Sequence, residues 1–478
     1  MKAIIAVLSL TLVVAILLFV PTLAAPFESV YGPVTLASCA TALGLCAISA
    51  LVVGVVIRRS REHGSYLVKL FMLALILRIA VGVAIFVFNG QDFFGGDAWT
   101  YDYFGYHQLL AWRGDKYASL LIDQYMGRGL GSGWGMLYLV AGIYSFVGRN
   151  MLAIQFFNAV IGAATVPLIF MSSYDLFRNF RVARIAAFAV AFYPSLVLWS
   201  SQGLKDPIIV FALALSIFAA GRLRQKFSVI YLASLLAGLA MILAFRFYVF
   251  YMLIAAIAGG LLIAMRAMTA QNVFRQCVII LLIGISLTYV GVTRYASVQF
   301  EQSVTFDQLR RSRLDAATSA QSGFGKDVDV STARGALSTI PLGLVYLFFA
   351  PFPWQLGSLR QTLTLPEMVI WWGSFPLLIL GLWFSIRYRF RQIFTILLFT
   401  SMLSVAYSVF QGNVGTAYRQ RSQLLVFYFI FVAVGFILLK EKSEQRARRR
   451  LWAKRSWMAD EARRHLGRPA PEISAPGT

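Results

Sequence analysis

Charge is scarce in this chain, and acid is scarcer than base. Only 13% of the 478 residues are charged and 59% are hydrophobic, where a soluble domain carries roughly 25% charged residues. With a mean hydropathy of +0.72, a soluble enzyme is excluded. Cysteine is nearly absent: Cys39, Cys46 and Cys277 all fall inside apolar runs, so neither a disulfide framework nor a zinc site is credible. The alternating segments of about ten residues that build a membrane barrel are also missing, because the apolar runs are about 20 residues long. What is plentiful is base, 43 Lys and Arg against 20 Asp and Glu, for a net charge of +23. In a soluble protein that excess would suggest nucleic acid. Here the basic residues sit in short clusters between long apolar runs, the pattern of a polytopic membrane protein whose surroundings are lipid and not nucleic acid.

The positive-inside rule converts those clusters into a topology. The run from Ala3 to Ala25 follows a single Lys2 and is long for a signal peptide, so it is read as a first anchor. A second run near 35 to 57 ends at Arg58-Arg59-Ser60-Arg61, which belongs in the cytoplasm, and the next span, about 66 to 88, therefore exits. Fourteen apolar runs can be counted, two of them short, near 131 to 147 and 339 to 351. If all fourteen crossed, the clusters Arg178/Arg181/Arg184, Arg222/Arg224/Lys226 and Arg266/Arg275 would face outward, against the rule. With the two short runs lying at the membrane surface, twelve spans remain, the others near 150 to 172, 184 to 201, 207 to 221, 228 to 245, 247 to 265, 277 to 293, 368 to 386, 392 to 410 and 423 to 439. Those clusters, Arg387/Arg389/Arg391 and a basic tail over 440 to 478 then all become cytoplasmic. The outside holds a loop over 89 to 149, turns at Lys205-Asp206 and Arg246, a long loop over 294 to 367, and the turn 411 to 422.

The chemistry-bearing residues concentrate on that outer face. The first loop supplies Asp92, Asp97, Asp102, Asp115 and Asp123 within Gly95-Gly96-Asp97-Ala98-Trp99-Thr100-Tyr101-Asp102 and its continuation. A helix from Ala98 would make Asp97 its N-cap and put Tyr101 one turn along the same face. The turn Leu204-Lys205-Asp206-Pro207 reads as a helix start with Asp206 as cap and Pro207 first in the helix, which accounts for Asp206 but not for a Lys on the translocated side. Arg246 in the turn Phe245-Arg246-Phe247, and Arg419 and Arg421 in the last turn, are further cations where few are expected. Each alone reads as snorkelling to lipid phosphate; four from three separate turns facing an acidic loop read as an anion site. Arg78, about twelve residues or roughly 18 Å from the inner end of its span, is either a buried structural pair or functional. Phe352-Pro353-Trp354 reads as an interface anchor, or as lining for a lipid-tail entrance.

An Asp-Ala-x-x-Tyr element after an exiting helix, an acidic turn before a Pro-started helix, a long later outside loop and an Arg-bearing turn near the end together resemble the GT-C glycosyltransferases, which include the protein O-mannosyltransferases and the lipid A aminoarabinose transferases. The layout match covers about 66 to 340. The resemblance implies an all-α bundle of about 12 transmembrane helices with interfacial helices in two outside loops: two helices in 1–65, a seven-helix core over 66–293, an outside loop over 294–367, further helices over 368–439 and the tail. It implies a transferase that moves a sugar from a polyprenyl-phosphate donor to a glycan, lipid or protein acceptor of the cell envelope, on the periplasmic or outer face of a bacterial inner membrane. Asp97 would be the base, as the first-loop acid, and Asp206, as the second-loop acid, would orient the acceptor. Lys205, Arg246, Arg419 and Arg421 would hold the donor phosphate, with Asp102, Tyr101 and Arg78 as further candidates. A divalent cation, Mg or Mn, if present, would be shared by Asp97 and Asp206, although no run has the ligand spacing of a dedicated site. Two other readings remain: a polymerase or ligase of lipid-linked glycans, and a flippase or transporter, which would show internal repeats and short loops that the sequence lacks.

Overall fold

The computed structural model describes residues 2–27, 34–59, 63–88, 90, 93, 96–127, 134–265, 269–289, 306–318, 323–324 and 330–466. They form an all-α protein of membrane type, with no strand among the described residues beyond a single bridge between Gly323 and Asn413. The chain opens with three long apolar helices, α1 (Lys2–Ala24), α2 (Leu36–Arg58) and α3 (Gly64–Val87). Three shorter ones follow: α4 (Asp97–Trp112), α5 (Lys116–Gly127) and α6 (Trp134–Val147). The bundle continues through α7 (Met151–Phe177), α8 (Phe180–Phe192), α9 (Pro194–Ser200), α10 (Asp206–Gln225), α11 (Val229–Phe245), α12 (Phe247–Met265) and α13 (Ala270–Tyr289). It closes with α14 (Phe306–Thr318), α15 (Ala333–Phe349), α16 (Leu359–Phe410), α17 (Val414–Gln420) and α18 (Ser422–Leu466).

Among the described residues, seven helices are long and apolar enough to cross a bilayer: α1, α2, α3, α7, α10, α16 and the first part of α18, with α8 and α9 an eighth if that pair, bent by 53°, is one broken span. The count by length thus falls short of the twelve expected, for identifiable reasons. The expected span over 184 to 201 breaks at Tyr193-Pro194, because proline disfavours helical backbone in the residue before it; Tyr193 is extended at φ −66° and ψ 125°. The helices in place of 228 to 245, 247 to 265 and 277 to 293 have apolar parts of 10–17 described residues each and so fall outside this count by length. The expected spans 368 to 386 and 392 to 410 are fused in α16, whose one non-helical residue is Arg389. That residue is a turn. Glu367 meets Tyr418 and Gly381 packs on Phe431 and Gly435, whereas Phe399 meets Phe427, Ser404 meets Tyr428 and Tyr407 meets Gln423. The first arm therefore runs along α18 in its own direction and the second runs back against it.

These helices have two distinct ends. α10 carries Asp206 at its start and Arg222 and Arg224 in its last turn, about 30 Å apart at ~1.5 Å per residue. Around the basic end gather Asp175, Arg178, Arg181 and Arg389, with Asp175 accepting from Arg222 at 2.6 Å and Arg224 donating to the carbonyl of Arg391. The two short runs expected at the surface are the short helices α6 and α15. The first buries Met136, Leu137, Val140 and Tyr144, with Val140 against Gly105 of α4. The chain beyond Lys440, expected as a separate tail, continues α18 as a polar helix to Leu466. Asp92, Arg61, Arg266 and the segment 294–305 lie outside the described residues.

Candidate functional site

The acidic loop delivers its carboxylate through a glycine. Gly96 adopts the left-handed conformation at φ 68°, which suits a residue without a Cβ, and α4 starts immediately after it. The expectation that Asp97 is the N-cap is corrected: Gly96 is the cap residue and Asp97 is the first helical residue, with no side-chain capping bond. Its carboxylate instead accepts from Arg419 Nη1 at 2.5 Å and is 47% exposed. One turn along the same face, Tyr101 is buried, and Lys205 Nζ lies 5.9 Å from its ring centroid.

The second carboxylate is held from below. Asn158 of α7 donates its amide to the carbonyls of Gln202 and Leu204, both at 2.7 Å, and so fixes the turn that precedes α10. Lys205, not Asp206, is the cap residue there, and Asp206 begins the helix with Pro207 behind it. Asp206 is 1% exposed, accepts from Arg419 Nε at 2.6 Å and faces Arg246 Nη2 at 3.8 Å. Arg246 occupies the break between α11 and α12 and donates Nη1 to the Tyr407 hydroxyl at 3.0 Å. Burial pushes the Lys205 ammonium down to about 8, and Arg246 beside it acts in the same direction.

Arg419 thus bridges two carboxylates drawn from helices more than 100 positions apart in sequence, and three cations stand against two acids. The cluster carries one positive charge in excess when Lys205 is protonated. That balance bears on the divalent cation. Two carboxylates already shared by a guanidinium and flanked by Lys205 and Arg246 do not fit a Mg or Mn ion, which takes oxygen ligands, and no group of three metal-ligating side chains occurs among the described residues. The arrangement fits an anion.

Asp97 and Arg419 stand on the wall of a cavity of about 970 Å³. Its other walls include Leu77 and Val81 from the span α3, Phe192 and Leu198 from the bent pair, and Pro366 from α16. Two charged residues that sequence reasoning passed over also line it. Glu367 is buried and accepts from the Tyr418 hydroxyl at 2.7 Å, and Arg360 lies over the ring of Phe93. A carboxylate at the head of an apolar run was the available signal for Glu367, but the long loop was closed at that residue. Pro351 reaches the cavity, whereas Phe352 and Trp354 stack on each other beside it.

The remaining sequence candidates lie elsewhere. Asp102, five residues after Asp97 and so about 140° around the helix, accepts from Tyr144 and Arg149, both at 2.5 Å, and ties α4 to α6. Arg78 donates to Ser200 Oγ at 2.9 Å and to the carbonyls of Ala74, Ala191 and Val190 at 3.0, 2.8 and 3.1 Å. It satisfies the open carbonyl end of α8, where a cation is favoured. Arg421, two residues and so about 200° beyond Arg419, is fully buried and donates to the carbonyls of Phe348 and Ala350 at 3.0 and 3.2 Å at the end of α15. Arg313, unremarked in the sequence, does the same for α16 at Val409 and Gln411. The structure therefore brings together Asp97, Tyr101, Lys205, Asp206, Arg246 and Arg419 and leaves Arg78, Asp102 and Arg421 in helix-to-helix ties. In comparison with known proteins, no family model and no curated protein matches this chain.

Proposed function

We propose that this protein is a membrane glycosyltransferase that transfers a sugar from a polyprenyl-phosphate donor to a hydroxyl of a glycan, lipid or protein acceptor. The observation that carries this reading is the pair Asp97 and Arg419 on the wall of a large cavity whose neighbouring walls are apolar helices, with Asp206 and the cations Lys205 and Arg246 behind them. A phosphate with a long hydrocarbon tail matches both halves. The acceptor hydroxyl attacks the anomeric carbon as the bond from that carbon to the phosphate oxygen breaks. The electron pair leaves with the polyprenyl phosphate, and the hydroxyl proton passes to Asp97. Arg419 has Nε and Nη1 committed to carboxylates, so Nη2 is its donor for the departing phosphate. Lys205 and Arg246 add charge there as it develops, the stabilisation that such reactions depend on. The test is direct: purified protein in nanodiscs is given a polyprenyl-phosphate monosaccharide, and release of polyprenyl phosphate with acceptor is measured. Consumption of a lipid-linked oligosaccharide only would instead favour the polymerase reading.

The same proposal includes twelve crossings arranged as in the GT-C enzymes, with the Asp97 end outside and the basic end in the cytoplasm. The two-ended charge distribution supports it, since Arg178, Arg222, Arg224 and Arg389 all lie at the end remote from Asp206. Single cysteines replacing the exposed Lys116 and Arg181 report on it, in a Cys277→Ser background because Cys39 and Cys46 are buried. An impermeant maleimide applied to intact cells is expected to label position 116 and not 181. Labelling at 181 would reverse the orientation.

A phosphate held by Lys205 needs the ammonium, whose proton is lost around pH 8 in the free site. Because this pKa is depressed, kcat/KM for the donor is expected to be level just below that point and to fall as pH rises through it. Lys205→Met is expected to start lower and lose that descent. A parent profile that stays level to about pH 9 would place the phosphate away from Lys205.

A further inference from the structure

A second cavity, of about 260 Å³, lies at the opposite, basic end of the bundle between α7, α10, α12 and the turn of α16. Three arginines line it, Arg178, Arg224 and Arg389, and the acid among its lining residues, Asp175, is engaged closely by Arg222 at 2.6 Å and only loosely by Arg178 at 3.9 Å. The rest of the wall includes Phe218, Leu261 and Ile396. Two backbone features point to a built site and not to a chance crowding of surface charge. Arg178 is held at φ 51° and is the one positive-φ residue other than glycine among those described. That position at a helix C-terminus favours glycine or asparagine, so an arginine there carries a conformational cost. Gly221, also in the wall, has open space where a Cβ would stand.

We propose that this cavity binds an anionic phospholipid, its phosphate on Arg178, Arg224 and Arg389 and its glycerol and first acyl carbons against Phe218, Leu261 and Ile396. Basic pockets between membrane helices recognise phosphate headgroups in this way, and the mixture of guanidinium and apolar wall suits an amphiphile better than a free ion. The site is separate from the transferase reading and stands without it.

The test measures thermal unfolding of the delipidated full chain in detergent after adding phosphatidylglycerol, phosphatidylcholine at the same mole fraction, or inorganic phosphate, with native mass spectrometry for retained lipid. Phosphatidylglycerol alone is expected to raise the midpoint by several degrees and to stay bound. Gly221→Leu fills the open space without altering any charge and raises helix propensity; it is expected to abolish the shift. The pair Arg178→Gln and Arg389→Gln should abolish it too, whereas Arg387→Gln with Arg391→Gln, which removes equal charge from the same end outside the cavity, should preserve it. Equal protection of all variants would assign the effect to diffuse surface charge and overturn the proposal. Protection by inorganic phosphate equal to that by the lipid would make the ligand a soluble anion and overturn it as well.

Discussion

Asp97→Asn is expected to lower sugar transfer by roughly 10² or more, the scale of a lost general base, while the thermal midpoint in detergent moves little. The amide keeps the shape of the carboxylate and can still accept from Arg419, but it cannot take the acceptor's proton. Stability is spared because Asp97 is half-exposed and Arg419 retains Asp206, its deeply buried partner. The comparison that sharpens the result is Asp102→Asn, five positions along the same helix. Asp102 is buried against Arg149 and Tyr144, so its loss is expected to cost stability first and to leave the donor KM of the surviving protein unchanged. If Asp97→Asn transfers within about threefold of the parent, Asp97 serves only to hold Arg419.

Arg421→Met is expected to show the reverse pattern, a fall in stability of about 3 kcal/mol or more with the donor KM of the folded fraction preserved. Arg421 is fully buried and supplies donors to the carbonyls that α15 leaves unpaired at its end. Each buried carbonyl stripped of its partner costs about 1–3 kcal/mol, and methionine supplies none of the lost donors. Arg419→Lys is the complementary variant: one ammonium cannot span two carboxylates as the planar fork does, so donor use should weaken with a smaller loss of stability. Urea or thermal unfolding beside donor kinetics separates the two arginines. A donor KM that rises in Arg421→Met while stability holds would return Arg421 to the phosphate.

Asp97, Lys205, Asp206, Arg246 and Arg419 were legible because each lies in a segment between apolar runs, and run length forces such segments onto one of two faces. The helical class followed from the same runs. Azimuth was not legible. Arg419 and Arg421 look equivalent in sequence, yet Arg419 lies in the last turn of a seven-residue helix and Arg421 is its cap residue, and the two project in opposite directions as that helix packs against α15 and α16. Glu367 was hidden by a boundary: ending the long loop there made it a loop residue, whereas α16 begins at Leu359 and buries it. The fusion of two expected spans in α16 could not be read either, since the turn at Arg389 uses no glycine, proline or loop, the usual marks of a reversal. The break at Pro194 could have been read, and was missed because the run around it is apolar throughout.

Three helix ends near the site, those of α8, α15 and α16, close on the buried guanidinium groups of Arg78, Arg421 and Arg313 in place of water. Fraying of any of them would uncover carbonyls and an arginine together, in surroundings that can solvate neither. Local opening there therefore carries a free energy closer to that of global unfolding than to that of an ordinary helix terminus, and backbone amides beside these ends belong among the slowest to exchange with deuterium. The start of α4 has no such clasp: Gly96 makes no side-chain capping bond and Asp97 is tethered by one exposed contact to Arg419. Among the described residues, the start of α4 should therefore exchange faster than these three ends, so that the carboxylate of Asp97 rides on a more compliant edge of the cavity than the helices behind it.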